Sequence, residues 1–78
     1  MPKLPVVTGR QLLRALERAG FRVVRQRGSH VQVRGDDAAG NPVTLPVPVH
    51  AGRAIKRGTL LGILRKTGLT PADLRELL

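Results

Sequence analysis

The first regular feature of the chain is a run of apolar residues at helical spacing. They recur every three or four positions, and the opposite positions are mostly charged, as is typical of a helix with one buried face. The apolar members are Leu12, Leu13, Leu16 and Ala19. Thr8 and Gln11 match a capping box directly before the run, and Gly20 can end it in a left-handed conformation. The pattern predicts a helix over residues 9–19.

The pattern then changes to alternation with a period of two. Residues 21–26 are rich in valine, Val31 and Val33 alternate with polar neighbours, and residues 43–49 alternate again. Residues 27–29 and 35–42 have turn chemistry. We therefore expect three consecutive antiparallel strands.

The prolines of the third strand indicate its place in the sheet. Pro42, Pro46 and Pro48 share one parity, so their missing amides all point to the same side. Proline is tolerated in this way on an edge strand whose unpaired side lacks donors. We expect the strand order one, two, three, with the sheet ending at the third strand.

The remainder of the chain is helical in pattern. Residues 59–67 carry an apolar stripe that stops at Gly68, and Thr70 with Pro71 marks the start of a short terminal helix. The predicted fold class is α+β: one domain, residues 1–78, with an αβββα order, a three-stranded antiparallel sheet, helices on one face and a short C-terminal helix.

The charge of the chain indicates what kind of partner it binds. The 14 Lys+Arg against 5 Asp+Glu give a formal net charge of +9, and residues 18–34 contain five arginines and no acid. Such a field attracts phosphate backbones. The alternative is that the arginines reflect genome composition or solubility. Phe21 is the one aromatic residue, which excludes a base-stacking platform and leaves recognition of backbone and shape, as in double-stranded-RNA-binding domains.

Composition also limits the compartment. The chain has no cysteine and no apolar run long enough for a membrane helix, and residues 1–5 lack the apolar core of a signal peptide. We therefore expect a cytoplasmic protein without a membrane partner.

His30 is the main candidate for chemistry. It follows Gly28-Ser29 and has the parity of Gln32 and Arg34, so it faces solvent if Val31 and Val33 face the helices. An exposed imidazole beside arginines can act as general base or acid on an RNA phosphodiester. It can equally be a surface residue or a phosphate contact. His50 shares the parity, and the hairpin register can bring the two histidines close together.

The sequence offers little for a metal site and one candidate for an anion site. Two histidines without a nearby carboxylate make a poor metal site, so no metal or other cofactor is expected. Gly58-Thr59 at a helix start, after Lys56 and Arg57, is a candidate anion site, or an ordinary cap beside a solvated loop. Ser29 is expected to form a local hydrogen bond that holds its turn.

Several motifs taken together resemble the HicA (YcfA-like) toxins of bacterial toxin–antitoxin systems, from about Thr8 to Leu69. The similarity is carried by segments in a fixed order. They are Leu16-x-x-x-Gly20-Phe21, Arg25-Gln26-Arg27-Gly28-Ser29-His30, Pro48-Val49-His50, Ile55-Lys56-Arg57-Gly58-Thr59-Leu60, Ile63-Leu64 and Gly68-Leu69. The proline-rich run before His50 departs from the family pattern.

The resemblance implies a fold like that of double-stranded-RNA-binding domains and a metal-independent endoribonuclease that cleaves mRNA and is neutralised by a HicB-type antitoxin. It implies that His30 is the catalytic residue. The resemblance makes Gly28 and Ser29 positioning residues and Lys56 a phosphate contact. The other expected RNA-binding residues are Arg25, Arg27, Gln32, Arg34, His50, Arg57 and Thr59. The rival hypothesis is a non-catalytic double-stranded-RNA-binding module.

Overall fold

A computed structural model of the protein describes residues 4–78, so the start of the predicted 1–78 domain lies outside it. The elements are α1 (Gly9–Arg18), β1 (Arg22–Arg27), β2 (His30–Asp36), β3 (Pro42–Pro48), α2 (Arg57–Thr67) and α3 (Pro71–Leu77). The three strands form one antiparallel sheet in the order β1-β2-β3. The predicted α+β class and the αβββα layout are confirmed.

Local capping chemistry sets where two of the helices begin. The Thr8 hydroxyl accepts from the amide of Gln11 at 3.2 Å, and the Gln11 side chain accepts from the Thr8 amide at 2.9 Å. Thr70 and Asp73 form the same reciprocal pair at α3. The bonds from the Thr70 backbone and side chain hold the pKa of Asp73 below its ordinary value of 3.8. Both predicted helix starts are confirmed.

Strand β3 is an edge strand, as its prolines predicted. The amide of Val49 donates to the carbonyl of Ser29, which shows that the backbone groups of this parity face β2. The nitrogens of Pro42, Pro46 and Pro48 have the opposite parity and therefore lie on the unpaired side. The prolines therefore remove no hydrogen bond between strands, because no other strand pairs with this edge.

The two faces of the sheet differ in burial and in charge. Val31, Val33, Leu45 and Val47 are buried beneath the helices together with the apolar residues of α1 and α2. The other side, here called the open face, is exposed. It carries Arg22, Arg25, Arg27, His30, Gln32 and Arg34, and from β3 Thr44, Pro46 and Pro48. The predicted assignment of the two faces is confirmed.

One contact between α1 and the sheet allows no side chain. A Cβ on Gly9 would overlap the carbonyl oxygen of Pro48 and lie 2.8 Å from the Cα of Val49. Glycine at the first turn of α1 therefore lets the helix lie directly on the end of β3. Pro48 is the Cα partner of His30, so this contact also positions the end of the sheet that carries the histidine.

Helix α3 packs against α1 and adds Leu74 to the core. Leu74 is fully buried, and the guanidinium of Arg18 donates to the carbonyl of Leu77 at 2.6 Å. The terminal helix is thus part of the packed domain.

Several boundaries differ from the sequence-based expectation: α1 ends at Arg18 rather than at residue 19, and β3 spans Pro42–Pro48 rather than residues 43–49. β1 begins and ends one residue later than predicted, and α2 begins at Arg57 because Lys56 caps it and accepts the Leu60 amide. The pairing of β1 with β2 also shifts between Val23 and Arg25, which makes a β-bulge at Val24. No residue type in this strand marks the bulge in advance.

Candidate functional site

A two-residue turn presents His30 at the start of β2. Gly28 has a positive φ of 54°, a conformation that glycine adopts without strain. The side chain of Gln26 donates to the Gly28 carbonyl at 3.2 Å. The Ser29 hydroxyl, in contrast, makes no hydrogen bond within residues 4–78, so the predicted local bond is wrong. The backbone carbonyl of Ser29 accepts the Val49 amide, which ties the turn to the end of β3.

His30 lies in a shallow cavity on the open face. The cavity has a volume of about 270 Å³, and its lining residues are Arg25, Arg27, His30, Gln32 and Pro46. The register explains this set, since Arg27 lies opposite His30 and Arg25 lies opposite Gln32. The structure therefore brings three other predicted site residues, Arg25, Arg27 and Gln32, together around the exposed imidazole of His30.

The electrostatic environment of this cavity is strongly positive. Within the part of the chain that the structure describes, the guanidinium groups of Arg22, Arg25, Arg27 and Arg34 form neither an ion pair nor a hydrogen bond. Their charges are therefore available to an anion. A phosphodiester held there would place a proton-transferring imidazole beside two guanidinium groups that can stabilise charge on phosphate oxygens.

His50 occupies a different cavity. It follows the end of β3, and its cavity of about 300 Å³ is also lined by Arg53, Lys56 and Thr59. Pro48, which lies opposite His30, forms part of this second cavity. The two histidines therefore line separate cavities, although both lie near the Pro48 end of β3.

The start of α2 divides the predicted anion site. Lys56 and Thr59 line the His50 cavity, whereas Arg57 lines another cavity with residues 4–6 of the N-terminal segment. Lys56 caps α2 without a side-chain hydrogen bond, which leaves the first backbone amides free of such a cap. Arg57 is not part of the same cluster as Lys56 and Thr59.

Two residues of the basic surface were not among the predicted site residues. Arg53 joins His50 because the turn after β3 brings it back, and Arg22 reaches the open face because of the β-bulge. Arg53 could have been found from its closeness to His50 in the sequence. No feature of the sequence indicates that Arg22 lies on the open face.

Some site classes find no support in the described residues. Among residues 4–78, no three His, Cys, Asp or Glu side chains are grouped so that they could hold a metal ion. In the same range, no helix is long and apolar enough to cross a membrane.

Comparison with protein families gives a match that covers most of the chain. Residues 9–69 match the family described as HicA toxin of bacterial toxin–antitoxin. The chain belongs to the HicA toxin family. The match begins at Gly9, the residue that contacts the end of β3, and ends before α3. Comparison with curated proteins and with solved structures gave no match.

Family membership fixes the general role of the chain. A HicA protein is the toxin of a bacterial toxin–antitoxin system, and the family implies an antitoxin as its partner. The open face of this HicA toxin carries an exposed histidine and four arginines that have no ion-pair partner among residues 4–78, so it is suited to binding an anion.

Proposed function

We propose that the protein is a metal-independent endoribonuclease that cleaves mRNA in the cytoplasm, with His30 as its catalytic residue. The observation that carries the proposal is the cavity in which an exposed imidazole lies beside Arg25 and Arg27, neither of which has a partner among residues 4–78. The HicA family match supports it independently.

The proposed reaction is an attack within the RNA strand. The 2'-oxygen of one nucleotide bonds to the adjacent phosphorus, the bond from phosphorus to the 5'-oxygen breaks, and the proton lost by the 2'-hydroxyl is balanced by one gained at the 5'-oxygen. His30 acts as the base for the first oxygen or as the acid for the second. Arg27, which lies opposite His30, steadies the phosphate as negative charge accumulates on its oxygens. Arg34, the other expected contact, lies opposite Arg22 and lines a different cavity.

The other predicted residues have supporting roles in this proposal. Gly28 and Ser29 position the turn before His30, and Gln32 contacts the substrate beside the histidine. Residues of the second cavity extend the phosphate-binding surface past Pro48. They are His50, Lys56 and Thr59.

The chemistry predicts the ends of the RNA fragments. Purified protein is expected to produce 2',3'-cyclic phosphate or 3'-phosphate ends and 5'-hydroxyl ends, and to do so equally in excess EDTA, because no metal takes part. Mass spectrometry of the fragments from a defined RNA measures this directly.

A matched all-DNA oligonucleotide is the control for that experiment, because it lacks the attacking 2'-hydroxyl and should remain intact. Fragments with 3'-hydroxyl and 5'-phosphate ends would rule out attack by the 2'-oxygen. RNA that is bound and retarded but never shortened would favour the non-catalytic RNA-binding module.

The proposed antitoxin is of the HicB type and covers the open face with an acidic or phosphate-like surface. The charge of the face supports this, since its arginines need an anionic counterpart in the inhibited state. A structure of the complex in which His30 stays fully exposed would contradict the proposal.

A further inference from the structure

The β-bulge at Val24 determines which face Arg22 occupies. Residues three apart in a regular strand point to opposite faces, so Arg22 and Arg25 would be separated. Here the register with β2 shifts by one residue between Val23 and Arg25. Arg22 consequently lies on the open face, where it shares a cavity of about 230 Å³ with Arg34. The bulge thus adds a third arginine of β1 to the surface that carries His30.

The three arginines of β1 form a ladder of cross-strand rows. Arg27 lies opposite His30, Arg25 opposite Gln32, and Arg22 opposite Arg34. Along β2 these rows are two residues apart, which corresponds to roughly 6.7 Å. Successive phosphates of an extended RNA strand are separated by a similar distance. Each row therefore offers a guanidinium group where a neighbouring phosphate would lie.

A bound anion would stabilise the row of Arg22 and Arg34 more than the other two rows, because only this row places two arginines opposite each other. Like charges directly opposite each other destabilise a sheet, and neither guanidinium has a partner among residues 4–78. The cavity that they share is also lined by Gly20, Gly35 and Asp36. Asp36 forms the next row with Pro42, and its carboxylate repels phosphate. The favourable track therefore ends at Arg22 and Arg34.

We propose that a single, unpaired RNA strand runs along β1 and β2, with three consecutive phosphates at the three rows. The phosphate beside His30 is the one that is cleaved, and Arg22 with Arg34 binds the phosphate two nucleotides away. The cluster is only two strands wide, about 5 Å, which suits one backbone rather than the two of a duplex. This inference rests on the proposed function for the position of the cleaved bond.

The test compares Arg22→Gln with Arg14→Gln, both in a His30→Ala background that leaves the RNA intact. Arg14 is an exposed arginine of α1, away from the open face, so the two variants lose the same charge. Binding of a short oligouridylate is measured by fluorescence anisotropy at several salt concentrations. Arg22→Gln is expected to weaken binding about 5- to 10-fold and to reduce the slope of log K against log salt by about 0.7. Arg14→Gln is expected to weaken binding less than about twofold.

A second variant keeps the net charge but moves it to the other face. Val23 lies opposite the buried Val33, so its side chain is on the helix-facing side of the sheet. The double variant Arg22→Val with Val23→Arg is expected to bind RNA as weakly as Arg22→Gln. Thermal unfolding confirms that each variant is folded before its affinity is compared.

The outcomes separate this inference from the proposed function. Equal binding by Arg22→Gln and Arg14→Gln, or full affinity in the double variant, would overturn the ladder. A loss of antitoxin binding without a loss of RNA binding would overturn it as well, and would assign Arg22 to the protein partner. Absence of cleavage by the protein with an intact His30 would contradict the proposed function, while the affinities still report on the ladder.

Discussion

Replacing His30 by alanine is expected to reduce the rate of RNA cleavage by about 10²–10⁴, the usual contribution of a general acid or base. The imidazole is exposed in the cavity with Arg25 and Arg27, and no other histidine lines that cavity. The measurement is the single-turnover cleavage rate of a labelled RNA by purified protein. RNA affinity is expected to change little, because the arginines remain.

His50→Ala is the matched control for this prediction. It removes another exposed imidazole, but from the neighbouring cavity beside Arg53 and Lys56. We expect a loss of about tenfold at most, the size of a lost binding contact worth about 1.4 kcal/mol. If His50→Ala abolished cleavage and His30→Ala did not, the catalytic assignment would move to the second cavity.

Gly9→Ala is expected to destabilise the protein by about 3 kcal/mol, the upper part of the range for overpacking a closely packed site. The new Cβ would collide with the backbone of Pro48 and Val49 rather than with a flexible side chain. Chemical denaturation measures the change in the free energy of unfolding. Since Pro48 lies opposite His30, the folded fraction should also cleave RNA more slowly.

Gly62→Ala is the control, because the same added methyl group meets open space. Gly62 lies inside α2, and a Cβ there has no neighbour within 4 Å. Alanine is the better helix former, so this variant is expected to be more stable by up to about 1 kcal/mol. Equal effects of the two substitutions would refute the proposed contact between α1 and the end of β3.

The features that sequence predicted correctly are those specified by local chemistry. Thr8 and Thr70 cap helices through bonds to residues three positions away, and the alternation at Val31 and Val33 fixes which face is buried. The prolines of β3 identify an edge strand because proline has no backbone N–H to donate to a neighbouring strand, whatever the fold. The open-face position of His30 followed from the same alternation, without reference to any tertiary contact.

The features that sequence missed depend on contacts between distant segments. The β-bulge at Val24 exists only through pairing with β2, and it alone places Arg22 beside Arg34. The need for glycine at position 9 arises from the backbone of β3, about forty residues later. Lys56 and Arg57 are adjacent in the chain, yet they line different cavities because α2 begins between them.

The central claim, that this HicA toxin acts by cutting mRNA with His30, is tested most directly in growing cells. Total mRNA integrity and growth are followed after induction of the wild-type protein or of His30→Ala at matched protein levels. The expected result is growth arrest with mRNA loss for the wild type and normal growth with intact mRNA for the variant. Equal arrest and equal mRNA loss from both proteins would contradict the claim.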